Sequence, residues 1–151
     1  MKIIIENPKD GEEEQIIVKC HAISPELLKA LNALKAQDDM LVAKIGKEIH
    51  RVSPLDVYYI ETVDNKTFIY CESDVYESKQ RLYEFEELAF ENFLRISRTV
   101  IVNLSKIKSL LPALGGRFEA VLINGERVII SRKYVSELKR SLGIQEDDHG
   151  L

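Results

Sequence analysis

The sequence predicts a mainly β protein of the α+β class, built from short antiparallel strands with one internal helix and one C-terminal helix. Two observations predict it. From Met40 onward, β-prone runs of four to six residues alternate with turn clusters such as Gly46-Lys47, Ser53-Pro54, Asp64-Asn65 and Asn124-Gly125, a spacing that suits hairpins. Helical spacing of apolar residues, in contrast, occurs in only three places, near residues 24–36, 82–89 and 131–142.

Residues 1–40 read as an N-terminal ββα extension. Lys2–Glu6 and Gln15–Cys20 are β-like runs joined by Asn7-Pro-Lys-Asp-Gly11, a strong turn signal. Ser24 then stands before Pro25 and Glu26, matching the donor-rich, electropositive start of a helix. Leu27, Leu28, Leu31 and Leu34 form its apolar stripe, and Gln37-Asp38-Asp39 ends it.

The main domain is expected over 41–144. Its first strands are Leu41–Ile45, Glu48–Val52, Val57–Glu61, Thr67–Cys71 and Val75–Lys79. Leu82, Phe85, Leu88 and Ala89 then recur at helical spacing, with Glu84, Glu86 and Glu87 on the remaining surface. Lys106–Leu111, Phe118–Ile123 and Glu126–Ile130 are the later strands, the last two joined by Asn124-Gly125, read as a two-residue turn with positive φ at both positions. Ser131 is placed to cap a final helix carrying Val135, Leu138 and Leu142, and Gly143 stops it. Residues 145–151 form an acidic tail.

Between the internal helix and the later strands lies the segment Phe93–Asn103, where Arg95 and Arg98 precede the β-branched run Thr99-Val-Ile-Val102. Strict alternation would place Arg98 on the same face as Ile96, Val100 and Val102. An unpaired buried guanidinium is too costly, so the regular strand is expected to begin after Arg98 or to bulge there, with Arg98 outward.

The net charge of −4 is unevenly spread: residues 95–144 carry ten Lys/Arg against three Asp/Glu, whereas residues 1–43 and 44–94 are both acidic. A basic third in an acidic chain points to a polyanion-facing surface, with a merely solvated face as the alternative. Arg132 and Lys133 sit in the expected first turn of the last helix, where cations oppose the macrodipole and a bound anion would offset them. Cys20 and Cys71 have no C-x-x-C spacing and are expected to be reduced, mostly packed thiols. His21, His50 and His149 share no ligand or nucleophile spacing, and no Gly-rich phosphate loop is present. Neither an enzyme nor a bound cofactor, metal or small-molecule substrate is expected. No apolar run is long enough to span a bilayer, so the expected location is cytoplasmic.

Three ordered motifs, Pro54-Leu-Asp-Val-Tyr-Tyr-Ile-Glu61, Arg95-Ile-Ser-Arg-Thr-Val-Ile-Val-Asn103 and Val128-Ile-Ile-Ser-Arg-Lys-Tyr134, resemble the LytTR-type DNA-binding domain of bacterial transcriptional regulators over about residues 42–143. The resemblance implies elongated antiparallel sheets whose loops, rather than a recognition helix, enter successive major grooves of double-stranded DNA and bend it. It places the contacts in three loops, Asn65-Lys66-Thr67, Ser97-Arg98 and Arg132-Lys133; with side-chain chemistry added, base-reading is expected at Lys66, Thr67, Ser97, Arg98 and Arg132, and backbone contacts at Asn65, Arg95, Lys106, Lys108, Ser131 and Lys133. Arginine forks suit guanine O6 and N7, while lysines suit phosphates. Members often have a histidine in the first loop, where this chain has Lys66 and Thr67. The extension is too short for a phosphorylated receiver domain. Small free-standing regulators of this type exist, some held by an integral-membrane inhibitor, so the leucine stripe is expected to serve a homodimer or such a regulatory partner. The competing expectation is an interaction module of the same fold that does not bind DNA.

Overall fold

The computed structural model describes residues 1–38, 40–87 and 92–144. Asp39, Leu88, Ala89 and the tail 145–151 with His149 lie outside them, and so does the side chain of Glu87. In chain order the elements are α1 (Pro25–Asp38), β1 (Leu41–Ile45), β2 (Glu48–Val52), β3 (Tyr59–Val63), β4 (Lys66–Tyr70), β5 (Val75–Ser78), α2 (Leu82–Glu87), β6 (Phe93–Arg95), β7 (Val100–Asn103), β8 (Ile107–Pro112), β9 (Phe118–Leu122), β10 (Arg127–Ile130) and α3 (Val135–Ser141). They build a seven-stranded antiparallel sheet in the order β2-β1-β5-β4-β3-β7-β6 and a three-stranded one in the order β10-β9-β8. The mainly β architecture with two short helices in the domain is the one expected.

Each sheet has its own core. Leu41, Ala43, Val52, Val57, Ile60, Ile69, Leu82, Phe85 and Ile101 pack together, with α2 supplying Leu82 and Phe85. Tyr58, Ile96, Val100, Val102, Ala120, Leu122, Ile130 and Leu138 form the second cluster, which α3 closes through Leu138. Strand β7 serves both, because alternation sends Ile101 to one side and Val100 and Val102 to the other. All four of its residues are buried.

Several expectations need correction. The runs Lys2–Glu6 and Gln15–Cys20 form no strands, and all side chains of residues 1–24 are exposed. The turn between them does form, with Gly11 at φ 87° and the Glu12 N–H donating to Lys9 O at 2.9 Å. β-propensity alone does not hold a ladder whose apolar face has nothing to cover it. The Ser24 cap is present: its Oγ accepts from Leu27 N–H at 3.1 Å. The two-residue turn with both φ values positive is at Asp64 (50°) and Asn65 (62°), not at Asn124-Gly125. There, only Gly125 is left-handed, and Gly125 N–H donates to Leu122 O at 2.9 Å while Leu122 N–H donates to Glu126 O at 2.8 Å. That is a type I turn closed by a glycine bulge, a three-residue hairpin loop. Finally, Ser131 makes no side-chain cap, because a 3₁₀ turn, Arg132–Tyr134, intervenes before α3.

Asn103 fastens the end of β7. Its Nδ2 donates to Val57 O at 2.8 Å, and its Oδ1 accepts from Ser105 N–H and Oγ at 3.1 and 2.8 Å. Asn103→Ala leaves the buried Val57 carbonyl without its donor and should destabilise the fold by about 1–3 kcal/mol, measured by urea unfolding. Of the cysteines, Cys20 is exposed rather than packed, and Cys71 is half-buried. Burial, then the charges of Asp56 and Asp74, push the Cys71 thiol up from 9.0 to about 11, Lys106 opposing. The raised value means that its share of stability is present below pH 9.0 and lost as pH rises through about 11. Urea midpoints should fall over that alkaline window, and Cys71→Ala should make the fall smaller.

Candidate nucleic-acid interface

The segment that carried the misplaced cation forms a tight loop between β6 and β7. Ile96 is fully buried and keeps its face with Val100 and Val102. Its N–H donates to Val100 O at 3.0 Å, and the Ser97 Oγ accepts from Thr99 N–H at 3.2 Å. The strand resumes only at Val100, so Arg98 never has to enter the core and stands exposed. Arg95 holds this loop from behind. Its Nη1 donates to Arg98 O at 2.6 Å, while its Nε pairs with the Glu86 carboxylate on α2.

Two backbone bonds tie neighbouring loops to this one. Thr62 N–H donates to Thr99 O at 2.9 Å, bringing in the β3–β4 hairpin, and Ser131 N–H donates to Ile96 O at 2.8 Å, bringing in the turn that follows β10. All three loops expected from the sequence therefore lie at one end of the two sheets. Arg132 and Lys133 are exposed there on the 3₁₀ turn, with Lys133 Nζ 5.6 Å from the Tyr134 ring centroid. They precede α3 rather than occupying its first turn, which begins at Val135. Lys66 is exposed beside Asn65 at the hairpin tip, next to the opposing charge of Asp64.

Other expected residues are placed differently. Thr67 is 4% exposed, its Oγ1 lying 3.5 Å from that of Thr62, because β4 already begins at Lys66 and alternation turns the next side chain inward. The hydroxyl of Ser97 is engaged inside its own turn. Lys106 and Lys108 sit at the far end of the three-stranded sheet: Ile123 N–H donates to Lys106 O at 2.9 Å, and Lys108 is the extra residue of a bulge between Ile107 and Ser109. Lys106 Nζ lies 5.0 Å from the Tyr58 ring centroid.

The loop between β8 and β9 adds a cation that the sequence reading passed over. Ala113 N–H donates to Arg117 O at 2.9 Å and Arg117 Nε to Leu114 O at 3.0 Å, which fixes an exposed guanidinium near Arg132. Gly116 has φ +76°, and a Cβ built on it would stand 3.0 Å from Arg132 Cδ, so the arginine stem crosses this glycine. The signal was present as a Gly-Gly-Arg turn before a strand. Among the described residues, Arg98, Arg132, Lys133 and Arg117 form no ion pair, in contrast to Arg95 with Glu86 and Arg127 with Glu119. The ensemble offers guanidinium and ammonium donors to an anion. Among the described residues no group of three or more His, Cys, Asp or Glu is arranged to hold a metal ion. No described helix is long and apolar enough to cross a membrane.

Residues 47–143 match the family model described as the LytTr DNA-binding domain. The sensory transduction protein LytT of Enterococcus faecalis (strain ATCC 700802 / V583) is 29% identical over 141 residues, covering 90% of this chain. The chain spans 58% of the length of that relative. An HTH-type transcriptional regulator of Staphylococcus aureus (strain MSSA476) is 28% identical over 139 residues, covering 89% of this chain and 95% of its own length. Among solved structures, the LytTr DNA-binding domain of a Bacillus cereus protein is similar with a TM-score of 0.66 and 33% identity, over 70% of this chain and 97% of that one.

Proposed function

The chain belongs to the LytTr DNA-binding domain family, and from that premise we propose that it is a sequence-specific transcriptional regulator whose loops read successive major grooves of duplex DNA. The observation that carries the reading is the backbone-tied convergence of the loops bearing Lys66, Arg98 and Arg132. Arg98 and Arg132 each offer a fork to guanine O6 and N7. Lys66 reads a base-edge acceptor at the hairpin tip. Asn65, Ser131, Lys133 and the added Arg117 hold phosphates, setting register and salt dependence without sequence choice. Thr67 is buried, the Ser97 hydroxyl is committed, and Lys106 and Lys108 are remote from this end, so none of these is assigned a contact.

A loop mode is favoured over a helix in the groove. α2 has six residues and is acidic, and α3 has seven residues and buries Leu138. Neither of these two helices of the domain presents a run of cations long enough to line a groove. The proposal takes residues 41–144 as the DNA-binding domain and residues 1–40 as the segment that pairs two copies. Leu28 and Leu34 on α1 are 46% and 49% exposed, and Ile3, Ile4, Ile5, Ile16 and Ile17 are more exposed still. Apolar surface of this kind favours association.

On a duplex selected from random DNA, Arg98→Ala and Arg132→Ala should each weaken binding by about 1–3 kcal/mol in anisotropy titrations, and affinity should fall steeply with salt. Wild-type binding by both variants would remove the site assignment, and binding indifferent to salt would favour the non-DNA interaction module. For the extension, Leu28→Glu with Leu34→Glu should halve the mass measured in solution; an unchanged mass removes the dimer surface.

A further inference from the structure

We propose that Glu86 and Arg95 form a positioning pair for the Arg98 loop, so that base discrimination depends on two residues that need not touch DNA. The inference rests on the base-reading role given to Arg98. Arg95 ends β6, opposite Ile101 of β7, and its side chain is 21% exposed. Its guanidinium is a rigid plane with five donors in fixed directions. Glu86 engages Nε, and that contact fixes where the rest of the plane points. Nη1 then donates to Arg98 O at 2.6 Å.

The neighbouring carbonyls of the loop are held by backbone donors: Ile96 O by Ser131 N–H and Thr99 O by Thr62 N–H. Arg98 O is held by a side chain instead. The Arg98–Thr99 peptide plane, and with it the direction in which the Arg98 side chain leaves the loop, is therefore held from two sides, by Arg95 at the Arg98 carbonyl and by the Ser97 hydroxyl at the Thr99 N–H. A carboxylate this close to a DNA-facing loop repels phosphates at distances within a Debye length, roughly 8–10 Å at moderate salt. For binding by simple charge attraction Glu86 is misplaced, whereas as the partner that aims Arg95 its position has a purpose.

A direct phosphate contact by Arg95, the role expected from the sequence, makes opposite predictions. If Arg95 only met a phosphate, Arg95→Lys would keep most of the affinity, because the charge remains. Arg95→Ala would weaken every duplex alike and reduce the salt slope by about one. Glu86→Gln would tighten binding by removing a repulsive charge.

The full chain, titrated by anisotropy against the selected duplex and an unrelated duplex of equal length across a salt series, separates the two. The positioning role predicts that Arg95→Lys and Arg95→Ala both weaken the selected duplex, on the order of tenfold, while the unrelated duplex and the salt slope stay as in wild type. Glu86→Gln should weaken the selected duplex in the same direction. Adding Arg95→Ala to Arg98→Ala should cost little beyond Arg98→Ala alone. Retention by Arg95→Lys, equal losses on both duplexes, or tighter binding by Glu86→Gln overturns the inference. Should Arg95→Ala not fold, Arg95→Lys and Glu86→Gln still decide it. An Arg98→Ala variant that binds as wild type sinks the reading of Arg98 itself. Arg98→Ala weak with wild-type behaviour from the Arg95 and Glu86 variants sinks only the positioning role.

Discussion

The two-sided burial of β7 is the constraint on which the rest depends. Ile101 belongs to the core of the large sheet, and Val100 and Val102 to that of the small one. A slip of one residue would exchange the faces and send a single side chain where two are needed, and two where there is room for one. The register is therefore fixed from both sides, and Asn103 locks its end to Val57. With β7 fixed, alternation cannot be carried back through Arg98 without burying a charge. The chain answers with a loop that keeps Ile96 in the core and expels Arg98, and the position of the exposed cation follows from the packing of its apolar neighbours.

The same economy explains how five exposed cations, Lys66 among them, can share one end. An isolated surface ion pair contributes about 0–1 kcal/mol, so leaving Arg98, Arg132, Lys133 and Arg117 without acidic partners among the described residues sacrifices little stability. Their mutual repulsion is screened by water and salt. Lys66, Arg98, Arg132 and Lys133 stand on loops joined by main-chain hydrogen bonds, so their relative positions do not depend on long flexible side chains meeting one another. Where a side chain does intervene, at Arg95, it is a half-buried arginine with its Nε and Nη1 both engaged.

Much of the fold was legible because the signals were local. β1 and β2 occupy the expected residues, Gly143 ends the last helix with φ 76°, and β7 starts after Arg98, as the cost of burying a guanidinium required. The runs Lys2–Glu6 and Gln15–Cys20 misled because β-propensity describes a residue's fit to a pleated, half-covered surface and says nothing of whether that surface exists. Thr67 was misread by one residue: the tight turn is complete at Asn65, β4 begins at once, and the inward face falls on Thr67. Glu86 and Gly116 could not be read as part of the candidate site, since their contacts with Arg95 and Arg132 join positions with no periodic relation in the chain, whereas Arg117 carried a local signal in its Gly-Gly-Arg turn.

The main-chain contacts between loops bear on how such a scaffold could change what it contacts. Ile96, Thr62, Thr99 and Ser131 join the loops through main-chain atoms, which any residue but proline can supply on the donor side. Side chains at Lys66, Arg98 and Arg132 can therefore vary without disturbing the frame that positions them. Gly116 is the exception. A side chain there would have to adopt a left-handed backbone and meet the Arg132 stem at 3.0 Å. Freedom at the proposed reading positions thus depends on restriction at the positions behind them, where Gly116 leaves space for the Arg132 stem and Arg95 and the Ser97 hydroxyl hold the Arg98 loop.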